Sequence, residues 1–249
     1  MLIKLTTHCT MGCLHCMEDA TPDGVHMRDQ TFEQVLDFLG RVSSPFVMLS
    51  GGEPTDHPHI LSYIKELQDR NIKILLMSNG LFMYDEALCR TLLNSDILIQ
   101  IINDLRYYPR RVPKPPDHVV FDTKINAPLA PFGRALVNNI PVERLSPTCF
   151  NFRSLMRSGR DFRACLNYLW MMGRFCTPSI THEGYIVAGE SRFCSSIGHV
   201  TSTDEELTEA ACSLTCSNCG LVNNLNSDQK RAIGESEDLK EEEVLKRAI

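Results

Sequence analysis

Cys9, Cys13 and Cys16 follow the short apolar run Leu2 to Thr7 with the spacing Cys-x3-Cys-x2-Cys. Three thiolates on one loop can hold three irons of a four-iron, four-sulfur cluster and leave the fourth iron open. A cluster that only transfers electrons normally takes four protein ligands. One ligand short, it offers a position to an outside molecule, and an open metal position is where chemistry is done. The triplet alone also suits part of a zinc site. Two further segments argue against that. Phe46-Val-Met-Leu-Ser-Gly-Gly-Glu-Pro-Thr55 reads as a short buried strand ending in two glycines, where a ligand can meet backbone with no Cβ in the way. Glu53 then offers a carboxylate to a cationic group. Ile72-Lys-Ile-Leu-Leu-Met-Ser-Asn-Gly80 is again a strand ending in small polar residues.

With these three pieces in place, the chain resembles the radical S-adenosylmethionine (radical SAM) superfamily. The resemblance rests on the cysteine triplet with His15 before its last member, then Gly-Gly-Glu-Pro, then Ser-Asn-Gly. It implies that the amino and carboxylate groups of SAM chelate the open iron. It also implies that Gly51, Gly52 and Glu53 meet the SAM amino group, and that Ser78 and Asn79 meet its sugar or methionyl end. His15 stands where the family often has an aromatic ring packed beside the cluster.

The elements that must position these residues alternate. Leu2 to Thr7, Phe46 to Leu49, Ile72 to Met77, Ile97 to Ile102 and Val119 to Ile125 read as strands. Helices are expected over Thr31 to Val42, Pro58 to Asp69 and Asp85 to Leu93. The first has an apolar stripe of Phe32, Val35, Leu36 and Leu39, and Thr31 with Gln34 is read as its capping box. This order implies a parallel sheet with right-handed crossovers, an α/β fold of partial (β/α)6 TIM-like barrel type. In such architectures chemistry lies at the carboxyl ends of the strands, which is where all three motifs fall. The barrel looks trimmed, because Tyr107 to Pro116 is too proline-rich for a full helix. Asp122, Lys124 and Asn126 share one strand face, either toward the lumen as substrate-positioning groups or toward solvent.

The second half supplies a further cysteine set. Ile180-Thr-His-Glu-Gly-Tyr-Ile-Val187 reads as a hairpin turning at Gly184, between Cys176 and Cys194, and Cys212, Cys216 and Cys219 follow. This arrangement resembles the SPASM/twitch extension of radical SAM enzymes, in the short twitch-domain form of certain dehydrogenases. The resemblance implies a second, auxiliary 4Fe-4S cluster on Cys176, Cys194, Cys216 and Cys219. Gly189, rather than the hairpin glycine Gly184, has the family's spacing to the second cysteine. Cys212 could replace Cys216 or Cys176, and a zinc site on Cys194, Cys212, Cys216 and Cys219 is the alternative. Ala130-Pro-Phe-Gly-Arg-Ala135 resembles a barrel-closing stretch of such enzymes, placing Arg134 near the SAM carboxylate or substrate, or else on the surface. Cys89, Cys149 and Cys165 are read as buried structural thiols. His57 and His59 are expected at the surface near a helix start. The expected division is residues 1–145 for the partial barrel, 146–225 for a small β-hairpin/helix twitch domain and 226–249 for a charged tail.

At 249 residues, with 43% hydrophobic and 22% charged residues, the chain has ample material for a core. No apolar run approaches a membrane span and the amino terminus lacks a signal-peptide layout, so a soluble, cytoplasmic protein is expected. In that setting eleven cysteines argue for metal ligation over disulfides. A net charge of −6 gives no footprint for nucleic acid. The resemblance implies an electron donor such as flavodoxin or ferredoxin, SAM cleaved to a 5′-deoxyadenosyl radical, and hydrogen abstraction from an unactivated carbon. The auxiliary cluster would then accept the second electron or anchor the substrate. Family substrates are carbohydrate-like small molecules or ribosomal peptides. Because no leader-binding segment precedes the first strand, a small molecule is the first expectation, with a peptide maturase as the alternative. A non-catalytic iron-sulfur or zinc redox-sensing module is the rival from another class. The catalytic base is not apparent.

Overall fold

The computed structural model describes residues 1–124, 129, 133–141, 162–163, 166, 178–192 and 194–214. Five strands, β1 (Leu2–Lys4), β2 (Phe46–Ser50), β3 (Lys73–Ser78), β4 (Leu98–Asp104) and β5 (Val120–Lys124), pair in parallel in the order β5-β4-β3-β2-β1. Helices α1 (Asp29–Arg41), α2 (Ile60–Asp69) and α3 (Glu86–Leu93) make the crossovers. A sixth parallel strand, β6 (Ser179–Ile180), lies on the free side of β1. It turns at Gly184 into antiparallel β7 (Tyr185–Val187), followed by β8 (Ser196–His199). Among the described residues the sheet has eight strands and stays open, with β5 and β8 at its edges, in keeping with a partial barrel. The expected hairpin is present and continues the main sheet. A side chain at Gly184 would strike the His199 ring, and its φ is +89°.

Period two sorts each strand into two faces. Ile3, Val47, Leu49, Ile74, Leu76, Ile99 and Ile101 are buried in one core with Phe32, Val35, Leu36 and Leu39 of α1 and Ile60, Tyr63, Ile64 and Leu67 of α2. Phe32 and Tyr63 stack with ring centroids 3.7 Å apart, joining the two helices. The opposite face carries Leu2, Lys4, Met48, Ser50, Met77 and Ile102. Asp122 is the parallel partner of Ile102 and Lys124 that of Asp104, so both lie on this second face. There Lys124 Nζ is 2.6 Å from Asp122 Oδ2, and Gln100 donates to the same oxygen at 3.1 Å. Asn126 lies outside the described residues.

Some boundaries differ from the sequence reading. Helix α1 begins at Asp29, after Arg28 in extended conformation with no side-chain cap, and Thr31 is a buried residue inside the helix. Thr31 is therefore not an N-cap, since its backbone is already helical. Helix α2 starts at Ile60, two residues past Pro58, after a short 3-10 turn at Pro54–Asp56. A further helix, Asp204–Ser213, has the capping box that α1 lacks, built by Thr203 and Glu206. It is tied to α1 through Arg41 Nε, 3.4 Å from Asp204 Oδ1. Among the described residues no helix is long and apolar enough to cross a membrane.

Candidate functional site

The carboxyl ends of β1 to β4 converge on a cavity of about 350 Å3. Cys9, Cys13 and Cys16 line it from the loop after β1, Gly51 and Gly52 from the end of β2, Ser78 and Asn79 from the end of β3, and Tyr108 from the turn after β4. After the cysteines the chain doubles back along its own path. Thr7 N–H donates to Val25 O and Cys9 N–H to Thr21 O, both at 2.9 Å, and Met27 N–H donates to Leu5 O at 2.7 Å. The loop is thus braced by its own backbone.

The two glycines serve this brace first. A Cβ at Gly51 would collide with the carbonyl of Thr6, and one at Gly52 with that of His8. The approach is fixed by Gly52 N–H donating to Thr6 O at 2.6 Å and Glu53 N–H to His8 O at 2.8 Å. Glycine at both positions lets β2 press against the cysteine loop, and Gly51, with φ +132°, also needs its freedom for the turn.

Glu53 stands behind the cavity wall, fully buried. Its Oε1 accepts from Thr55 N–H at 3.1 Å, Thr55 Oγ1 at 2.6 Å and Ser78 Oγ at 2.8 Å, while Oε2 accepts from Asn79 N–H at 2.7 Å. Burial pushes its carboxyl above the usual range, and these hydrogen bonds pull it back. Here Glu53 clamps the end of β2 to the end of β3. Asn79 reaches onward, with Nδ2 donating to Cys9 Sγ at 3.6 Å.

The thiols fit an iron-sulfur cluster. Burial is the main cause that raises Cys9, to about 11, and Cys13 further, with the neighbouring thiols adding to both. Thiolates so placed need a cationic group to offset their charge. N–H donors already point at the sulfurs, from Met11 to Cys9 at 3.5 Å and from Ala20 to Cys16 at 3.4 Å, as cluster ligands commonly show. Among the described residues no three His, Cys, Asp or Glu side chains converge tightly enough for one metal ion. A four-iron cluster asks for less convergence, because each thiolate takes its own iron.

The other expected residues fall on both sides of this chamber. Arg134 opens the short helix α4 (Arg134–Val137) against the cysteine loop, with its N–H donating to Cys16 O at 3.0 Å and its Nε 3.9 Å from Asp19 Oδ1. It is beside the thiols but does not line the cavity. His15 does, packed on Tyr107 at 5.0 Å, with Nε2 3.5 Å from Asp104 Oδ2. Asp104 is buried and held by Arg106 in a two-pronged contact at 3.0 and 2.7 Å, which keeps its carboxyl low. His57 is buried rather than exposed. It accepts from His59 N–H through Nδ1 at 3.0 Å and meets Met27 O through Nε2 at 2.9 Å, so the chain before α2 folds over it. Cys194 and Cys212 are half-buried, Cys212 against the main core. Cys176, Cys216, Cys219, Cys149 and Cys165 lie outside the described residues.

Sequence reasoning did not single out Lys4, Glu18, Asp104, Tyr108 or Glu190. For Lys4 a signal existed, since it shares a strand face with Leu2 by period two.

Comparison with known proteins agrees with this geometry. Residues 3–104 match the Radical SAM superfamily model, so this part of the chain is a radical SAM domain. The chain is 32% identical over 83 residues to a probable GTP 3',8-cyclase of Pyrococcus horikoshii, a match that takes in 33% of this chain and 27% of that protein. It thus spans only about a quarter of that curated relative. The fold is like that of BtrN in complex with AdoMet and 2-DOIA, with a TM-score of 0.55 at 10% identity, covering 95% of this chain and 85% of the other. It is also like that of anSMEcpe with bound AdoMet and a Cp18Cys peptide, with a TM-score of 0.50 at 12% identity, covering 99% of each.

Proposed function

We propose that this chain is a radical SAM enzyme that cleaves SAM reductively on a 4Fe-4S cluster and oxidises a C–H bond of its substrate. One observation carries the reading. Three thiols, the Gly51-Gly52 backbone and the Ser78-Asn79 pair line a single cavity at the strand ends of a radical SAM domain. A bound cluster supplies the electron that splits the SAM sulfonium and releases the 5′-deoxyadenosyl radical. The chain does the rest. Cys9, Cys13 and Cys16 hold three irons, and the N–H groups of Met11 and Ala20 with the Asn79 amide stabilise their charge. Gly51, Gly52, Ser78 and Asn79 receive SAM, with Glu53 fixing the two strand ends from behind and Arg134 offering a cation beside the thiols. Tyr108 and His15 close the wall against water, which a radical intermediate requires.

The same proposal assigns residues 1–145 to the barrel, 146–225 to a twitch-type domain and 226–249 to a tail. Cys176, Cys194, Cys216 and Cys219 would hold a second 4Fe-4S cluster, which would supply an acceptor for the second electron or an anchor for the substrate. Flavodoxin or ferredoxin is the electron source. The substrate in the first reading is a small molecule that would enter the cavity beside SAM. The likeness to anSMEcpe with a bound peptide supports the second reading, a peptide substrate.

Anaerobic reconstitution, iron and sulfide counting, and a dithionite assay for 5′-deoxyadenosine test the proposal. About eight irons with product supports two clusters, and about four with product removes the auxiliary one. Iron without SAM binding sinks the enzyme reading in favour of a redox-sensing module.

A further inference from the structure

The same cavity carries three charged side chains, Lys4, Glu18 and Glu190, to which the proposed cluster and SAM binding assign no role. Lys4 turns onto the cavity face of β1, and its Nζ lies 2.9 Å from Glu18 Oε1, with side-chain exposures of 5% and 10%. Glu190 lines the same cavity from the segment after β7. Lys4 and Glu18 both act on Glu190 through space, yet among the described residues it makes no hydrogen bond or ion pair. One ammonium therefore serves two carboxylates, and Glu18 takes the close contact.

Among the described residues this leaves the Glu190 carboxylate without a close partner beside an apolar wall of Leu2, Met48 and Met77. Burial pushes its carboxyl up and Lys4 pulls it down. A half-buried carboxylate in such a place gains most from a charge-assisted hydrogen bond to a cation. An anionic ligand group would meet two carboxylates and an ammonium already committed to one of them. A neutral hydroxyl would leave the ion largely uncompensated.

We infer that Glu190 seats a protonated amino group of the substrate, with Lys4 and Glu18 fixing the wall behind it and the methionines receiving an apolar body. The inference rests on the proposed function, which makes this cavity the reaction chamber. The amine belongs either to a free small molecule or to a lysine side chain of a peptide, and the chemistry at Glu190 is the same.

The test uses the full chain, reconstituted anaerobically and saturated with SAM, titrated calorimetrically with matched probes. One pair is glucosamine against glucose, and the other is Gly-Lys-Gly against Gly-norleucine-Gly. The amine of at least one pair binds about tenfold or more tightly than its neutral counterpart, as a charge-assisted contact provides. The preference falls toward unity in Glu190→Gln and persists in Glu190→Asp. Preference in the first pair indicates a small molecule, and in the second a peptide. The inference is overturned if wild type shows no preference in either pair, a comparison that needs no variant. It is also overturned if the preference survives in Glu190→Gln, or if that variant loses SAM affinity alone, which would assign the carboxylate to SAM. SAM cleavage on the same wild-type sample separates the two failures. Cleavage without cation preference removes this inference only, while neither iron nor cleavage removes the proposed function with it.

Discussion

Glu53→Gln changes one atom in the clamp between β2 and β3. The side chain keeps its shape, but the amide has one acceptor where the carboxylate had two. Two of its four donors are backbone N–H groups, Thr55 on Oε1 and Asn79 on Oε2, and neither can reverse its role. Whichever way the amide turns, its NH2 faces a donor. The Ser78 and Thr55 hydroxyls can rotate to accept, so the loss is one charge-assisted hydrogen bond and one buried N–H left unpaired. Each is worth about 1.5–3 kcal/mol. Part returns because burying a neutral amide costs less than burying an ion, which leaves a net loss of about 2 kcal/mol. For a chain of this size that lowers the unfolding midpoint by about 4–8 °C. Thermal unfolding of the metal-free protein near neutral pH, followed by circular dichroism, measures it. A midpoint unchanged within about a degree would refute the reasoning, because it would mean the site already holds a neutral acid that an amide replaces without loss.

Cys9→Ser, Cys13→Ser and Cys16→Ser each forfeit about four irons on reconstitution, whereas Cys89→Ser, half-buried on α3 against the main core, retains them; iron counting decides. Lys4→Met strands Glu18 and Glu190 without their cation and costs about 3 kcal/mol or more in urea unfolding, with part recovered in Lys4→Met/Glu18→Leu. Burial holds His57 below its usual value of 6.5, so the unfolded chain takes up this proton first. The stability it contributes is complete above about pH 6.5 and lost as pH falls below that, by up to about 1.4 kcal/mol per unit. Urea midpoints from pH 7.5 to 5 should decline, less steeply in His57→Gln; parallel curves would refute the assignment.

Much of this was legible because period and spacing are local. The βα alternation located β1 to β5 within a few residues, and the three motifs appeared at strand ends because the sheet is parallel. What stayed hidden depends on contacts between distant segments. Gly51 and Gly52 read as openings for a ligand, yet the first backbone they admit is that of Thr6 and His8. Glu53 read as a ligand group, and only the return of β3 brings Ser78 and Asn79, two of its four donors. His57 looked exposed beside Pro58 until Met27 and His59 closed over it. Lys4 sits in an apolar strand, and nothing near it in sequence announces Glu18 or Glu190. The pairing of β6 with β1 joins segments more than 170 residues apart, beyond any local signal.

The backbone lock at Gly51 and Gly52 bears on the order of assembly. In small zinc modules the metal gathers its ligands and folding follows. Here the cysteine loop is also held by hydrogen bonds from Gly52 and Glu53 to Thr6 and His8 and by its own doubling back through Thr21, Val25 and Met27. The shape of the loop is written in backbone contacts as well as in its thiols, so a metal-free chain that keeps these contacts would meet its metal with the loop already drawn.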